Sequence, residues 1–401
     1  MWLALLVFIA SAFIFSIHLG RPAKMVFDEH HYVPAAKQVA SIEPNNNYEH
    51  PPLAKLLIGF GILTAGNEPV GWRLFPVLFG ALLCSALFGV AVKLTRDPKW
   101  ALVTVAMLWL NGFTFVLSRL AMLEVFTVSF LALAWLMSLQ AEQHPEDRRW
   151  EFATGACLGL ALACKWSALP FLLAALVWII YRRRKQGLMH ALGLAATACL
   201  AVPLGIYALS YIPIMMVGGD PYSPMALLQM QKAMWLTHTQ PIPLHAEASG
   251  WTDWLFKREP MWFMKDYQIS PESSQSTIQS VMLLGNPAIL WVGLAACIDL
   301  ARFKNSRRLL WIFLIALAPW IVSTRSNTFY YYYFPAACVL TVAFACAART
   351  HWTKNWARIA VGFALLAALI FFVFHYPLMS GEVLNLNEAL TRFPYSLTPP
   401  Q

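Results

Sequence analysis

Charge is scarce in this chain. Asp, Glu, Lys and Arg make up only 12% of its 401 residues, against roughly 25% in an average soluble domain. Glycine and proline, at 20 and 25 residues, are not in excess, so collagen-like and low-complexity chains are excluded. The seven cysteines (Cys84, Cys157, Cys164, Cys199, Cys297, Cys338 and Cys346) all fall inside apolar runs. No CxxC pair and no Cys/His ligand spacing occurs among them, so neither a zinc site nor a disulfide framework is indicated, and they read as small packing residues. Short segments of alternating polarity, the mark of a transmembrane barrel, are missing too. What the chain has instead is hydrophobic residues, 59% of the total. They are gathered into consecutive runs, several of about 18 to 22 residues, each long enough to cross a hydrocarbon core of about 30 Å. The sequence predicts an all-α polytopic membrane protein.

The first run covers residues 1–19. Its front end carries no cation and no convincing cleavage site follows it, so it reads as an uncleaved span rather than a signal peptide. Further spans are expected at 71–93, 100–117, 120–139, 152–164, 166–181, 188–210, 281–301, 308–324, 328–348 and 357–375. That makes about eleven, the run at 152–164 being short for a full crossing. With the N-terminus in the cytosol, the short cytosolic loops collect Lys93, Arg96 and Lys99; Arg148 and Arg149; Arg182–Lys185; Arg302, Lys304, Arg307 and Arg308; and Arg349, Lys354 and Arg358. This is the cation excess that cytosolic loops show. It accounts for the net charge of +9 without nucleic acid as a partner. The expected organisation is a module over 1–210 containing a first extracytoplasmic loop (20–70), a second extracytoplasmic loop over 211–280, and a four-helix module with an extracytoplasmic tail over 281–401.

Three cations stand apart from that pattern. Arg119, Lys165 and Arg325 each lie at a tight turn on the outer side. A lone cation there can simply snorkel to the interface; three on one side point instead to an anionic headgroup held at the outer surface. The first loop reads Phe27-Asp28-Glu29-His30-His31-Tyr32, then Glu49-His50-Pro51-Pro52-Leu53-Ala54-Lys55. Two adjacent acids next to a span are costly unless they are solvated or used. After the fixed, extended Pro51-Pro52, residues Leu53 to Leu63 are expected to form an amphipathic or interfacial helix. The second loop places Trp235, Trp251, Trp254 and Trp262 among polar residues, as at headgroup level.

These residues resemble the protein O-mannosyltransferase family of the GT-C class. The resemblance rests on Asp28-Glu29 after the first span, His50-Pro-Pro-Leu-Ala-Lys55, Ser118-Arg119-Leu120 followed by Glu124, and Lys165-Trp166. Ser249-Gly-Trp251 through Trp254, Arg258-Glu-Pro-Met-Trp262, Leu284-Gly-Asn-Pro287 and Phe329-Tyr-Tyr-Tyr-Tyr-Phe-Pro335 complete it. No single motif decides; the ordered set from about residue 27 to 336 does. The resemblance implies a GT-C fold of eleven spans that moves mannose from a polyprenyl-phosphate carrier to a Ser or Thr hydroxyl of a protein. It implies Asp28 as the catalytic base and Arg119 as the ligand of the carrier phosphate. Glu124 stands where the family usually has Asp, and the second loop lacks the large β-trefoil insertion of eukaryotic members. Both departures point to a bacterial plasma (inner) membrane enzyme with an extracytoplasmic active site.

The residue inventory suits that chemistry. A sugar phosphate carries a leaving group that needs no proton from the protein, so one carboxylate is sufficient, whereas glycoside hydrolysis uses two. Asp28, with an ordinary pKa of about 3.9, is expected to be ionised. Glu29 is expected to orient it, bind sugar hydroxyls or meet the acceptor. Lys165, Arg325 and His50 are expected to help with the phosphate. His30, His31, Lys55, Glu124, Tyr331 and Tyr333 are expected to line the substrate pocket, although a tyrosine run at this position is also what an interfacial belt looks like. His30 and His31 lack metal-ligand spacing, and no metal or other cofactor is expected to be required. The expected partners are the lipid-linked donor, the acceptor and membrane lipids. Two other readings stay open. One is a GT-C transferase acting on lipid A, another envelope glycan or a small lipid, including with a sugar such as aminoarabinose. The other is a transporter or flippase, which would need ionisable residues at mid-span and the inverted, broken repeats that this chain does not display.

Overall fold

A computed structural model describes residues 2–41, 43, 47–217, 223–240, 243–256, 260–268, 276–304, 306–323 and 325–393. Within them the chain is a helical bundle with one small sheet. The first half holds α1 (Trp2–Ser16), α2 (Glu29–Ala40), α3 (Leu53–Ala65), α4 (Pro69–Thr95), α5 (Pro98–Trp109), α6 (Gly112–Leu117), α7 (Leu123–Gln143), α8 (Arg149–Cys164), α9 (Leu169–Arg183), α10 (Leu188–Ala196) and α11 (Val202–Val217). The second half holds α12 (Pro224–Thr239), α13 (Trp251–Phe256), α14 (Pro287–Leu300), α15 (Arg308–Val322), α16 (Phe334–His351), α17 (Asn355–Met379) and α18 (Leu386–Arg392).

Among the described residues, six helical stretches are long and apolar enough to cross a membrane: Pro69–Thr95, Leu123–Gln143, Trp166–Gln186, Leu188–Met216, Tyr330–His351 and Asn355–Met379. Four more apolar helices are shorter, namely Trp2–Ser16, Leu53–Ala65, Pro287–Leu300 and Arg308–Ile321. Helix length therefore supports a polytopic bundle without yielding the expected eleven spans. The reasons are local. The run at 100–117 is broken at Asn111, whose side chain accepts a bond from the Phe113 amide and starts α6. Such a side chain diverts the backbone toward a cap. The expected span at 281–301 begins in a strand, and its helix starts only at Pro287. The helix expected over 53–63 is present as α3.

The strands were not foreseen. Met261–Gln268 (β1), Thr277–Leu283 (β2) and Val383–Asn385 (β3) form an antiparallel sheet in the order β1-β2-β3. Met261 pairs with Leu283, Thr277 pairs with Asn385, and the register shifts between Trp262 and Met264. Arg258 and Glu259 of the second-loop motif lie outside the described residues.

The described residues hold two large buried cores and a smaller one around Trp100, Ile289 and Phe344. One joins α1, α4, the sheet and α14–α17 through Phe15, Leu83, Phe113, Leu283 and Leu340. The other joins α2, α3 and α7–α11 through Val33, Ile58, Phe126, Leu158 and Cys199. Gly59 lets α3 lie against α2, for a Cβ there would meet the Ala36 carbonyl oxygen at 2.7 Å. The Gly285-Asn286-Pro287 motif proves to be a joint. Buried Asn286 donates to the carbonyls of Leu110 (3.0 Å) and Ala368 (2.9 Å) and accepts from Ala288. One side chain thus satisfies backbone groups of three segments, which a buried amide must do to avoid a desolvation penalty.

Candidate active site

The site forms where α1 hands over to α2. Phe27 has φ +46°, a left-handed conformation that costs a bulky residue on the order of 1–2 kcal/mol. An aromatic cage holds it there. Its ring stacks on Phe263 at 5.0 Å and meets His245, Phe329 and Tyr331 edge-on at 5.6, 5.8 and 6.1 Å. Asp28 follows at the N-cap position of α2, yet its side chain makes no capping bond. The carboxylate turns instead to the hydroxyls of Tyr32 and Tyr331, each donating at 3.3 Å to Oδ2. Burial pushes its pKa up to about 6, and the Glu124 charge adds to the rise. Lys165, His31 and the Tyr32 bond pull the other way. The expected value near 3.9 is thus corrected by desolvation, which disfavours the charged form.

Glu29 faces elsewhere, contrary to its expected place beside Asp28 in the chemistry. It is fully buried, and Arg73 grips it through two bonds of 2.9 and 2.8 Å. The amides of Ala121 (2.8 Å) and Val26 (3.0 Å) donate to the same carboxylate. With both oxygens occupied it is a clasp joining α2, α4 and the turn before α7. The Val26 bond has the reach-back spacing of a capping box. Arg73, which closes the clasp and also donates to the carbonyls of Leu19, Pro22 and Lys24, escaped the sequence reading. A cation inside an apolar run was its only signal.

Arg119 also departs from expectation. Its guanidinium donates to the carbonyls of Phe15 (2.7 Å), Ile17 (2.5 Å) and His18 (3.1 Å), closing the end of α1. It is 4% exposed, and the ionised groups that bear on Asp28 are Glu124, Lys165 and His31 rather than Arg119. The cation that does face Asp28 is Lys165. It forms an ion pair with Glu124 and lies over the rings of Tyr332 (4.7 Å) and Tyr331 (5.4 Å). The second Glu124 oxygen has no partner among the described residues. Arg325 has no acidic partner among them either, and its charge, like that of Lys165, bears on His50.

The remaining candidates divide. His50 belongs to the site: its ring lies 6.1 Å from that of Tyr32 and 5.2 Å from that of His238. His238, in the last turn of α12, was not singled out from the sequence, because a lone histidine in a loop helix carries no signal. Tyr332, against Lys165 and stacked on Trp320 at 4.0 Å, is the other addition. His31 is exposed beside Asp28. His30 is likewise exposed. Lys55 is 1% exposed and donates to Asn47 and to the His50 carbonyl at 3.0 Å. It fastens the 47–50 loop and does not line the pocket. Tyr333 is packed in the core against Phe113 and Phe313, which removes it from the site. In the second loop, Asn327 exchanges bonds with His245 and Pro243, and Thr328 with Ser249. These bonds draw that loop over the tyrosines. No three His, Cys, Asp or Glu side chains converge as metal ligands among the described residues.

A separate apolar cavity of about 340 Å³ runs between α4, α7, α8, α9, α15 and α16. Leu131, Trp135, Phe171, Trp178, Ile312 and Val339 help line it, and the paired Glu142 and Arg308 (2.7 Å) belong to its wall.

Residues 49–207 match a family profile described as dolichyl-phosphate-mannose-protein mannosyltransferase. The polyprenol-phosphate-mannose–protein mannosyltransferase of Mycolicibacterium smegmatis is 25% identical over an alignment covering 82% of this chain and 78% of that one. In fold, the chain is similar to the Saccharomyces cerevisiae protein O-mannosyltransferase Pmt1–Pmt2 complex bound to the sugar donor. The TM-score is 0.82 at 14% identity, over all of this chain and 92% of that one. The chain has the GT-C fold and is similar in sequence to protein mannosyltransferases. ArnT from Cupriavidus metallidurans, bound to undecaprenyl phosphate, shares the architecture of this chain with a TM-score of 0.61 at 18% identity, over 93% of this chain and 65% of that one.

Proposed function

We propose that this glycosyltransferase moves a mannosyl group from a polyprenyl-phosphate carrier to a Ser or Thr hydroxyl of a protein, on the extracytoplasmic face of a bacterial plasma membrane. The observation that carries the reading is the placement of Asp28. Its carboxylate is oriented by two tyrosine hydroxyls, and Lys165 stands opposite. The names of the relatives in sequence support mannose as the sugar and protein as the acceptor.

The reaction follows from the charges. The acceptor hydroxyl attacks the anomeric carbon while Asp28 takes its proton, and the bond from that carbon to the phosphate oxygen breaks. Base and leaving group on opposite faces give inversion. A base positioned this way is worth roughly 10²–10⁴ in rate. A pKa near 6 makes Asp28 a stronger base than a free aspartate while leaving it ionised at neutral pH. The carrier departs as a phosphate monoester with more negative charge than the diester had. Lys165, with Arg325, therefore holds the transition state more tightly than the ground state, and only such a difference accelerates the step. The unpartnered Glu124 oxygen is a ready acceptor for a sugar hydroxyl. The apolar walls of the intramembrane cavity suit a prenyl chain.

The test is transfer itself. Purified protein is incubated with labelled polyprenyl-phosphate-mannose and membranes, and label is expected in protein. Label in lipid or glycan would move the acceptor to the envelope, and no transfer from this donor would overturn the reading.

A further inference from the structure

Helix α7 starts beside Glu124 and runs for 21 residues, a length of about 30 Å. From there α8 returns to Cys164, the residue before Lys165. The connection between the two helices therefore lies about one hydrocarbon thickness from Asp28, in a loop that the charge pattern assigns to the cytosol. A polar cleft of about 320 Å³ opens there. Pro145, Glu146 and Arg148 of the connection line it, with Arg183 and Gln186 at the end of α9 and His190 of α10.

The charges around this cleft are only partly matched. One oxygen of fully buried Glu151 accepts from Arg182 (2.8 Å) and twice from Arg183, at 2.9 Å from its Nε. A single carboxylate thus answers two guanidiniums. Arg183 also donates to Gln186 at 3.3 Å. Asp147 is taken by Arg149 at 2.9 Å, and exposed Arg148 has no ion-pair partner among the described residues. Nε2 of His190 is buried with no hydrogen-bond partner among them. Helix α10 begins at Gly187 without a side-chain cap, so its first N–H groups add unpaired donors to the same corner. The flanks are apolar. Val177 and Tyr181 of α9 and Leu188, Met189 and Leu192 of α10 are exposed, on two stretches able to cross a membrane. The cleft is the polar corner between two span ends, at the level of lipid headgroups.

We propose that this cleft binds a phosphoethanolamine lipid headgroup, with Arg148, Arg183 and His190 on the phosphate and Glu146 on the ammonium. A phosphodiester fits the fork of a guanidinium, but a simple anion would leave the Glu146 carboxylate on the cleft wall to repel it. An ammonium gives that carboxylate a partner. The lone His190 nitrogen needs an acceptor in one tautomer and a donor in the other, and this headgroup carries both. A choline headgroup has the same phosphate but no N–H for Glu146. The acyl chains run along the exposed apolar residues of α9 and α10, so the lipid pins the α7–α8 connection to the next helix pair. Binding here is independent of which sugar and acceptor the other end handles.

Full-length protein is stripped of lipid in detergent and titrated with phosphatidylethanolamine, phosphatidylcholine and phosphatidylglycerol. The first bound lipid is read by native mass spectrometry. Phosphatidylethanolamine is expected to bind about tenfold tighter than either of the others, the scale of one hydrogen bond to a charged group. Arg148→Gln and His190→Phe should each weaken it about tenfold. Glu146→Gln should erase its advantage over phosphatidylcholine and leave phosphatidylcholine binding unchanged. Arg148 and Glu146 are exposed, and Arg183, which holds buried Glu151, stays in place. Phosphatidylcholine or phosphatidylglycerol binding as tightly as phosphatidylethanolamine would overturn the assignment. So would wild-type affinity in Arg148→Gln and Glu146→Gln, which decide the matter if His190→Phe does not fold. Inorganic phosphate raising the melting temperature as far as the lipid does, with the same loss in Arg148→Gln, would replace the lipid by a free anion.

Discussion

The turn at Arg119 and the turn at Lys165 are alike in every respect that a sequence displays. Each is a single cation at a tight corner between apolar helices, and each is almost wholly buried, at 4% and 5% exposure. Their partners differ. Arg119 spends its fork on three carbonyls at the end of α1, where a cation also complements the negative end of a helix dipole. A planar, multi-donor guanidinium suits such a fan of carbonyls better than an ammonium would. Lys165 meets a carboxylate, two tyrosine faces and the neighbourhood of Asp28. One cation closes a helix and the other pairs with an acid beneath two tyrosine rings. Asp28 and Glu29 repeat the lesson at adjacent positions, one turned to the pocket and the other locked in a clasp.

The largest effect should come from the free acid. Asp28→Asn is expected to lower kcat by roughly 10²–10⁴ with carrier-phosphate binding retained. Near-normal turnover would remove Asp28 from the chemistry and dissolve its contrast with Glu29. The two cations come next. Lys165→Gln should cost about 10²-fold in kcat/KM, as loss of one stabilising group of a developing anion does, while leaving Arg119 and the α1 terminus intact. Arg119→Gln should instead lower the melting temperature, by the equivalent of about 1–3 kcal/mol for buried carbonyls left unpaired, with donor KM within threefold of wild type. A donor-binding defect in a folded Arg119→Gln protein would return the phosphate to Arg119. The smallest effect is a pH profile. On the proposed mechanism Asp28 acts as its anion, and burial raises its pKa to about 6, so kcat/KM should be flat above that value and fall tenfold per unit below it. Glu124→Gln removes a charge that raises this pKa and frees Lys165 to lower it, so the acid limb should move to lower pH. A limb that stays put would show that the titrating group is not Asp28.

Much of the fold was legible because apolar runs impose helices wherever no water is present to bond the backbone. The helix at 53–65 and the Pro-initiated α14 both follow from local composition. The sheet was not legible: β1 and β3 lie more than a hundred residues apart, and β3 is only three residues long. The break at Asn111 was missed because one polar residue in an apolar run reads as tolerable until its amide partner is seen. Among the residues that gather around Asp28, its own carboxyl, His50, Glu124, Lys165, Arg325 and Tyr331 were singled out from the sequence. Arg73 and His238 were not. Their importance lies in partners 44 positions away for the first and across two loops for the second.

The apolar lengths and the polar residues placed between them are sufficient to dictate a helical membrane protein with its reactive groups gathered at one end, since burial of backbone and of charge obeys local rules. Which acid is free and which cation confronts it are matters of how the helices pack. A buried charge takes whatever partner the neighbouring element brings within three ångströms, and no stretch of sequence records that neighbour.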